Sequence, residues 1–440
     1  MALTDKLTAI GNAIRAKDGS TALLTLDEMP IAIAAIETPS TPGGSESGLP
    51  EEAFLITGNC SYKFSSGGWN WFIENYGNKI TTKDITDISY MFYNNKNLTD
   101  IPFTINLKST DTQGIPMKYA FMNCENLEKV SINFAENTYV GDMDCMFQYC
   151  IKLNEISDMT FYNTTAKKMS SLFNNCSKLK VLPYIYNAYP SEMNAIFQYC
   201  NFLRDIPEDY FDTWNFDYIN TNKYANCANV FSDCKSLRKV PKKVLDKFGK
   251  ETIEKSYYYS FYSSLFYNCY ALDEITDLPV CTYAITSNVF SNTNSNCGRL
   301  KNFTFETNED GSAKTAQWKG QSIFLNNKIG YGCNFNTFKN YNTGITEDKM
   351  VDSKESYEAL KNDPDWFAYS ESYSRYNHDS AVATINSLPD TSAYLAANGG
   401  TNTINFKSYC GDNTDGGSVS KLTAEEIAVA TAKGWTVTLK

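Results

Sequence analysis

The chain has 440 residues, of which 42% are hydrophobic and 20% are charged, and its formal net charge is −11. This composition is too apolar for a disordered chain, and the negative charge disfavours nucleic acid and anionic membranes as partners. The length exceeds what one hydrophobic core usually serves, so several domains or a repeat array are expected. No run reaches the roughly 18 consecutive apolar residues of a membrane span, so we predict no membrane insertion.

Residues 1–37 carry the pattern of a small helical hairpin. Apolar residues recur at helical spacing in two series, the second over 26–36, with Gly19 between them as a helix breaker. A hairpin this short cannot bury enough area alone, so residues 2–36 are expected to dock on other proteins or on copies of the chain. A simple N-terminal cap on the rest of the chain is the alternative. The segment lacks the apolar core of a secretory signal, and synthesis without a signal peptide is expected.

Residues 38–50 are predicted to be a flexible linker, because three Pro and three Gly occur in this short segment. Residues 51–89 are predicted to cap the N-terminal end of a repeat region. Their aromatic side chains include Trp69 and Trp71. Covering the exposed end of a repeat stack is one interpretation of these two residues. Stacking against a carbohydrate is the other.

Residues 90–305 repeat one pattern, and this is the strongest signal in the chain. The pattern Phe-x-x-Cys/Asn-x-x-Leu-x-x-Ile/Val/Leu occurs seven times without a gap, with Asn95 replacing Cys in the first copy. Spacing inside the pattern is fixed, whereas the interval from one Phe to the next varies between 24 and 35 residues. We predict that the fixed positions form buried columns, or ladders, that include Phe121, Cys124, Leu127, Phe147, Cys150, Leu153, Phe173, Cys176, Leu179, Phe197, Cys200 and Leu203.

The predicted fold of this region is an α/β repeat solenoid. Each copy is interpreted as a short helical turn with Met and Phe on one face, a tight turn at the Asn/Cys position and a short strand that begins at the Ile/Val position. Stacking the copies builds a parallel ladder of short strands with short helices. The chain has 13 cysteines and no CxxC pair, so the cysteines are predicted to be reduced, buried thiols rather than metal ligands or disulfides.

Binding residues are sought in the variable segments between the fixed positions. One long insertion carries Trp214, Phe216 and Tyr218, and a second carries Tyr257, Tyr258 and Tyr259. Tyr and Trp offer large, rigid contact area with a polar group, which is typical of recognition surfaces. These residues, together with Trp69 and Trp71, are the candidate ligand-binding residues. The alternative is that the rings only pack against the neighbouring copy.

Residues 306–440 are predicted to be further repeats and a C-terminal cap. Helix is expected over 379–398 with a break at Pro389, then a strand over 401–406, a helix over 422–433 and a strand over 435–439.

The sequence contains few residues that could form a catalytic or metal-binding site. His378 is its one histidine, and its acidic and serine neighbours are adjacent in sequence, which cannot give relay geometry. Asp142 and Asp144, and the loop over 412–417, lack the ligand pattern of a calcium site. We expect no catalytic residue, metal or cofactor, and no enzymatic activity.

The copy Met146-Phe147-Gln148-Tyr149-Cys150-Ile151-Lys152-Leu153-Asn154-Glu155-Ile156 resembles the BspA-type (Treponema-type) leucine-rich repeats of bacterial surface adhesins and of phage or prophage structural proteins. The resemblance covers about half the chain. The segment 3–36 is similar to the helical hairpin that opens many phage tail and baseplate proteins. The segment 422–439 is similar to the cap that closes phage versions of these repeats.

These resemblances together imply a phage virion protein, such as a tail fibre, baseplate or head fibre protein, that displays the solenoid for attachment to the host. Its implied place is the exterior of the particle, after synthesis in the host cytoplasm. Implied partners are other virion proteins, copies of itself in a homo-oligomer, and a host surface glycan or protein. A BspA-like cellular adhesin is the alternative, and a glycan-degrading virion enzyme is a third possibility.

Overall fold

The structure is a computed structural model that describes residues 54–65, 69–161, 167–248, 263–267, 269, 272, 274–280, 302–328, 378–409 and 422–439. The predicted hairpin at 1–37, the linker at 38–50 and the tyrosines at 257–259 lie outside the described residues. The chain divides into two compact units, residues 1–163 with 183–186, and residues 164–182 with 187–440. Each unit is described by itself. Over the described residues, no helix is long and apolar enough to cross a membrane.

The described part of the chain has short strands and few helices. The strands are β1 Phe54–Asn59, β2 Ile80–Asp87, β3 Ile105–Leu107, β4 Lys129–Val130, β5 Ile132–Phe134, β6 Glu155–Ile156, β7 Met159–Thr160, β8 Lys167–Lys168, β9 Ile185–Tyr186, β10 Pro190–Glu192, β11 Glu274–Leu278, β12 Asn302–Phe305, β13 Ser322–Lys328, β14 Asn402–Tyr409 and β15 Trp435–Leu439. The helices are α1 Asn70–Tyr76, α2 Asp217–Thr221, α3 Lys242–Leu245, α4 His378–Ser387, α5 Ser392–Asn398 and α6 Ala424–Ala432, with a 3₁₀ turn at Gly77–Lys79.

Strands of the first unit pair in parallel. The longest sheet has the order β1-β2-β3-β5, and β4 pairs with β6 and β7 with β9. Side chains alternate across the sheet, so that Phe54 and Ile56 of β1 are buried while Leu55 between them is exposed. Parallel neighbours need long connections, and here each connection is the rest of a repeat. The short parallel strands are compatible with the α/β repeat class that the sequence predicts.

The strands also correct the predicted layout of a repeat. β4 ends at Val130 and β6 ends at Ile156, so these strands close at the Ile/Val position instead of beginning there. That position and the residue before it form the parallel pair, as Val130 does with Ile156 and Lys129 with Glu155.

The segment around each repeat Phe is a run of tight turns, which corrects the predicted helical turn. The residues two before and two after the Phe have left-handed φ angles, as at Tyr90 (56°) and Asn94 (59°) on either side of Phe92. Alternate N–H groups therefore face the following repeat, and the N–H of Phe92 donates to the carbonyl of Ala120 at 2.7 Å. The N–H groups between them close turns within the repeat. In both units the bonds of this segment run from an N–H of one repeat to a carbonyl of the next.

The repeat phenylalanines form a continuous stack of rings in each unit. In the first unit the centroids of Phe64, Phe92, Phe121 and Phe147 follow one another at 5.1, 5.2 and 5.0 Å. In the second unit those of Phe173, Phe197, Phe231 and Phe266 follow at 5.9, 5.8 and 6.2 Å. All eight rings are buried. The stacks bury a large apolar area that no single repeat could enclose alone.

The repeat cysteines form a second ladder beside the rings. The thiol of Cys124 donates to the carbonyl of Phe92 in the preceding repeat at 3.0 Å, and Cys150 donates to Phe121 at the same distance. In the second unit Cys200, Cys234 and Cys269 repeat the arrangement at 3.3, 3.1 and 3.1 Å. Burial raises the pKa of Cys124 to about 12, so the thiol stays protonated and can donate.

Asn95 takes the place of cysteine in this ladder. Its side-chain amide donates to the carbonyl of Phe64 at 3.3 Å and to the side-chain oxygen of Asn70 at 2.6 Å. The amide group therefore performs the same task as the thiols, which is to satisfy the carbonyl of the preceding Phe.

The C-terminal part of the second unit is a parallel sheet of order β13-β14-β15 with helices α4, α5 and α6. Trp318 and Trp435 are buried in it, and the indole N–H of Trp435 donates to the carbonyl of Pro389 at 2.8 Å. A capping box of Thr423 and Glu426 begins α6. The predicted helix break near Pro389, the strands and the last helix are confirmed here, with boundary shifts of a few residues.

Candidate functional site

A row of tyrosines marks the outer side of the Phe-containing turns in the first unit. Tyr62, Tyr90 and Tyr119 each lie two residues before a stacked phenylalanine and have φ angles of 57°, 56° and 59°. We call these three residues the tyrosine column. Because the position precedes the Phe by two in every repeat, stacking of the repeats brings the three side chains together.

Short polar side chains fix the turns that carry the column. The Asn59 side-chain oxygen accepts from the N–H of Ser61, and the Asp87 carboxylate accepts from the N–H of Ser89, both at 2.8 Å. Asn59 also donates to Asp87 at 3.1 Å, which links the two repeats just before their tyrosines. Such Asx turns pre-set the chain direction. Tyr62 and Tyr90 consequently leave their turns side by side.

The rings of the column are in direct contact. Tyr62 and Tyr90 stack with centroids 4.5 Å apart and planes 7° apart, and Tyr90 and Tyr119 follow at 5.0 Å and 45°. Tyr93 meets the edge of Tyr90 at 5.4 Å, and the Lys118 ammonium lies 4.8 Å from the centroid of Tyr119. Tyr62 is 55% exposed, while the other rings are half-buried. The column is thus an ordered aromatic surface open to solvent.

The surroundings of the column favour a neutral phenol at Tyr62 and a charged amine at Lys118. Partial loss of solvent raises the pKa of Tyr62, and the neighbouring Tyr90, which is hydrogen-bonded to it, adds to the rise. Desolvation opposes the charge of Lys118, but Tyr119 and Asp144 outweigh it and raise the pKa of this amine. The surface can therefore offer aromatic area, hydroxyl hydrogen bonds and one cation.

The predicted contact residues of the long insertion are mostly internal. Trp214 and Phe216 are each only 6% exposed, which corrects the expectation that they bind a ligand. The insertion folds back, and their rings pack with Phe211 and Phe248 in an aromatic cluster. Burial of so much aromatic area favours packing over exposure. Tyr218, at 38% exposed, is the one of the three that faces solvent.

The tryptophans before the repeats are partly covered. Trp69 packs edge-on against Phe64 at 5.5 Å and against Phe72 at 5.7 Å, and Trp71 meets Tyr76 at 5.7 Å. Both tryptophans are half-buried. Trp69 therefore covers the Phe stack, as a cap does. Stacking of Trp71 on a carbohydrate stays a prediction.

The twelve predicted ladder residues are placed in the interior. Each of them is buried, with no more than a trace of exposed surface: Phe121, Cys124, Leu127, Phe147, Cys150, Leu153, Phe173, Cys176, Leu179, Phe197, Cys200 and Leu203. They hold the repeats together and are not accessible to a ligand.

His378, Asp142 and Asp144 have structural partners, whereas the loop over 412–417 lies outside the described residues. The His378 ring lies 3.1 Å from the Glu426 carboxylate, which also accepts from the N–H of Thr423. Asp142 is exposed, and its backbone carbonyl accepts from the N–H of Met117. Within the described ranges, no group of three or more His, Cys, Asp or Glu could hold a metal ion.

Sequence reasoning missed two features of this site. Phe64 is an additional repeat position, as its stacking on Phe92 shows, and it is hidden because Gly67 stands at the Cys/Asn position and Asn70 at the Leu position of the pattern. The tyrosine column was also missed. Its signal is the triplet Tyr-x-Phe, which recurs at residues 62–64, 90–92 and 119–121.

Comparison with known proteins gives a family match over part of the chain. Residues 69–182 match the family described as "Mycoplasma protein of unknown function, DUF285". This match is consistent with a BspA-type repeat protein. No curated protein matches the chain, and no solved structure does.

Proposed function

We propose that the chain is a virion structural protein of a bacteriophage, in a tail fibre, baseplate or head fibre, that presents a BspA-type solenoid for binding to the host surface. The observation that carries the proposal is that the buried positions of a repeat vary little, whereas neighbouring positions at the surface vary. In the seven copies the buried Phe position keeps its residue and the Cys position changes only to Asn95, and these positions bond or stack each repeat on its neighbour. The position two residues before each Phe, which is at the surface in the tyrosine column, changes from Tyr to Cys, Ser, Ala or Asn. A constant scaffold with a variable surface suits recognition.

The N-terminal sequence supports attachment to a particle. Residues 3–36 resemble the hairpin of phage tail and baseplate proteins, and the Pro- and Gly-rich composition of 38–50 is typical of a flexible linker. In this proposal, residues 2–36 bind other virion proteins and copies of the chain, and the repeats lie on the particle exterior.

Mass spectrometry of purified particles tests the assignment. We expect the chain at a copy number set by particle symmetry, and we expect deletion of residues 2–36 to remove it from particles while leaving the repeats soluble. Absence of the full-length chain from gradient-purified particles would overturn the proposal.

A cellular surface adhesin of the BspA type is the second candidate. The match of residues 69–182 to a family described from Mycoplasma, a cellular organism, favours it. Fractionation separates the two candidates. An adhesin is expected in the cell envelope of cells that release no particles, whereas a virion protein is expected to sediment with particles.

A further inference from the structure

We propose that the tyrosine column of Tyr62, Tyr90 and Tyr119 is a binding site for a neutral glycan. The inference rests on the proposed host-surface function and assigns the ligand class and the residues that would bind it.

The fold does not require tyrosine at these positions. In the second unit, the same place two residues before the Phe is held by Ser171, Ala195, Asn229 and Ser264, all with left-handed φ angles. A bulky residue is disfavoured in this conformation, and Asn is, after glycine, among the residues that adopt it most readily. Three consecutive repeats nevertheless carry tyrosine there. Strain that the scaffold does not need points to a role at the surface.

The arrangement of the rings suits a polymer of repeating units. Tyr62 lies with one face against Tyr90 and is 55% exposed, so it offers aromatic area at one end of the column. The rings recur at 4.5 and 5.0 Å, which places phenol groups at regular intervals along the stacking direction. A ligand that runs along the column meets a ring edge and a phenol hydroxyl at each step, and an open ring face at Tyr62. Sugar rings carry hydroxyl groups that can bond to the phenols and C–H faces that can stack on Tyr62.

The charges around the column favour a neutral ligand over an acidic one. Ser61, Ser65 and Ser89 beside the first two tyrosines are uncharged, and the Ser65 hydroxyl donates to the carbonyl of Tyr62 at 2.8 Å. Two lysines flank the column, Lys118 over the ring of Tyr119 and Lys63 next to Tyr62 in sequence. The carboxylates of Asp144 and Asp87 lie nearby, so charges of both signs are present. The net charge of −11 repels polyanions at longer range. Neutral hydroxyl groups therefore match this surface best.

A glycan array probed with the full chain tests the inference. The probe is a printed array of neutral and acidic glycans, and the test variant is the double substitution Tyr62→Asn with Tyr90→Asn, because asparagine tolerates the left-handed turn. Tyr149→Asn is the matched control, since Tyr149 is 40% exposed with φ 62° but lies on the other side of its Phe. Circular dichroism and thermal unfolding verify that both variants fold.

We expect the unchanged chain to bind neutral glycans, the double variant to lose about tenfold or more in affinity, and the Tyr149 variant to bind normally. Binding of acidic glycans alone, of no glycan, or equal loss in all variants would overturn the inference. If periodate treatment of host cells leaves binding intact and protease treatment abolishes it, the partner is a protein and the inference also fails.

These outcomes are independent of the test of the proposed function. A chain that is present in particles but binds no neutral glycan loses only the ligand assignment. A chain that binds neutral glycans through the column but is absent from particles keeps this site and loses the virion assignment.

Discussion

The cysteine of each repeat contributes a hydrogen bond as well as volume. Cys124 is fully buried, and its thiol satisfies the carbonyl of Phe92 at 3.0 Å. Alanine would leave that carbonyl without its thiol donor and create a small cavity, and we expect Cys124→Ala to lower the free energy of unfolding by about 1–3 kcal/mol. Urea unfolding measures the change.

Cys145 provides the control for this substitution, because it is only half-buried and lies outside the ladder. We expect Cys145→Ala to cost clearly less than Cys124→Ala. Equal effects of the two substitutions would show that the ladder hydrogen bond contributes nothing to stability.

The buried thiols also give stability a dependence on alkaline pH. Burial raises the pKa of Cys60 to about 11 and that of Cys124 to about 12, from an ordinary value of 9.0. Below pH 9 both states hold the proton, so stability is constant with respect to these groups. Above pH 9 the unfolded chain ionises first, and the free energy of unfolding falls by roughly 1 kcal/mol per thiol at pH 10.

Urea unfolding at pH 7.5 and pH 10, with reductant, checks this expectation. Lys235 has the opposite effect on the free energy of unfolding, which it raises as the pH increases. Burial lowers the pKa of this amine to about 8, so the folded state loses the proton at a lower pH than the unfolded state does. Comparison with Cys124→Ala isolates the thiol contribution, because the variant should lose less stability between the two pH values. An unchanged pH dependence in the variant contradicts the assignment.

At the scale of the elements, two glycines separate the cost of a left-handed backbone from the cost of a steric clash when a Cβ is added. Gly114 has φ +79°, and a Cβ there would collide with the backbone of Val140 in the next repeat. Gly58 has a similar φ of +70°, but a Cβ there meets nothing within 4 Å. We expect Gly114→Ala to cost well above 2 kcal/mol and Gly58→Ala about 1 kcal/mol. Thermal unfolding ranks the two, and equal costs would exclude a packing role for Gly114.

The elements also show what the sequence could predict. Phe, Cys and Leu positions were predictable because stacking fixes their spacing and each must be apolar or small. The left-handed residues were not, because the same position holds Tyr90, Ser171 or Asn229 and no steric preference unites these residue types. Trp214 was ambiguous, since an aromatic insertion can face solvent or its own cluster, and only the fold decides.

At the scale of the whole molecule, register is the property that all repeats share. Spacing from Phe to Cys is constant, whereas intervals between repeats vary from 24 to 35 residues. We expect a Gly-Ser insertion after Thr112, which is exposed, to leave the chain folded. The same insertion after Gln148, between Phe147 and Cys150, shifts one ladder against the other and should abolish folding. Soluble yield and cooperative unfolding report the difference, and tolerance of both insertions would contradict a shared register.

The one-way direction of the backbone hydrogen bonds around each Phe has an evolutionary consequence. Within each unit, the described repeats accept N–H groups from the preceding repeat and donate their own to the following one. A gene duplication that copies one whole repeat therefore inserts a unit whose N–H donors and carbonyl acceptors match those of the repeats on either side. Recombination can lengthen or shorten the array, and exchange the residues two positions before each Phe, without new pairing chemistry at the junction.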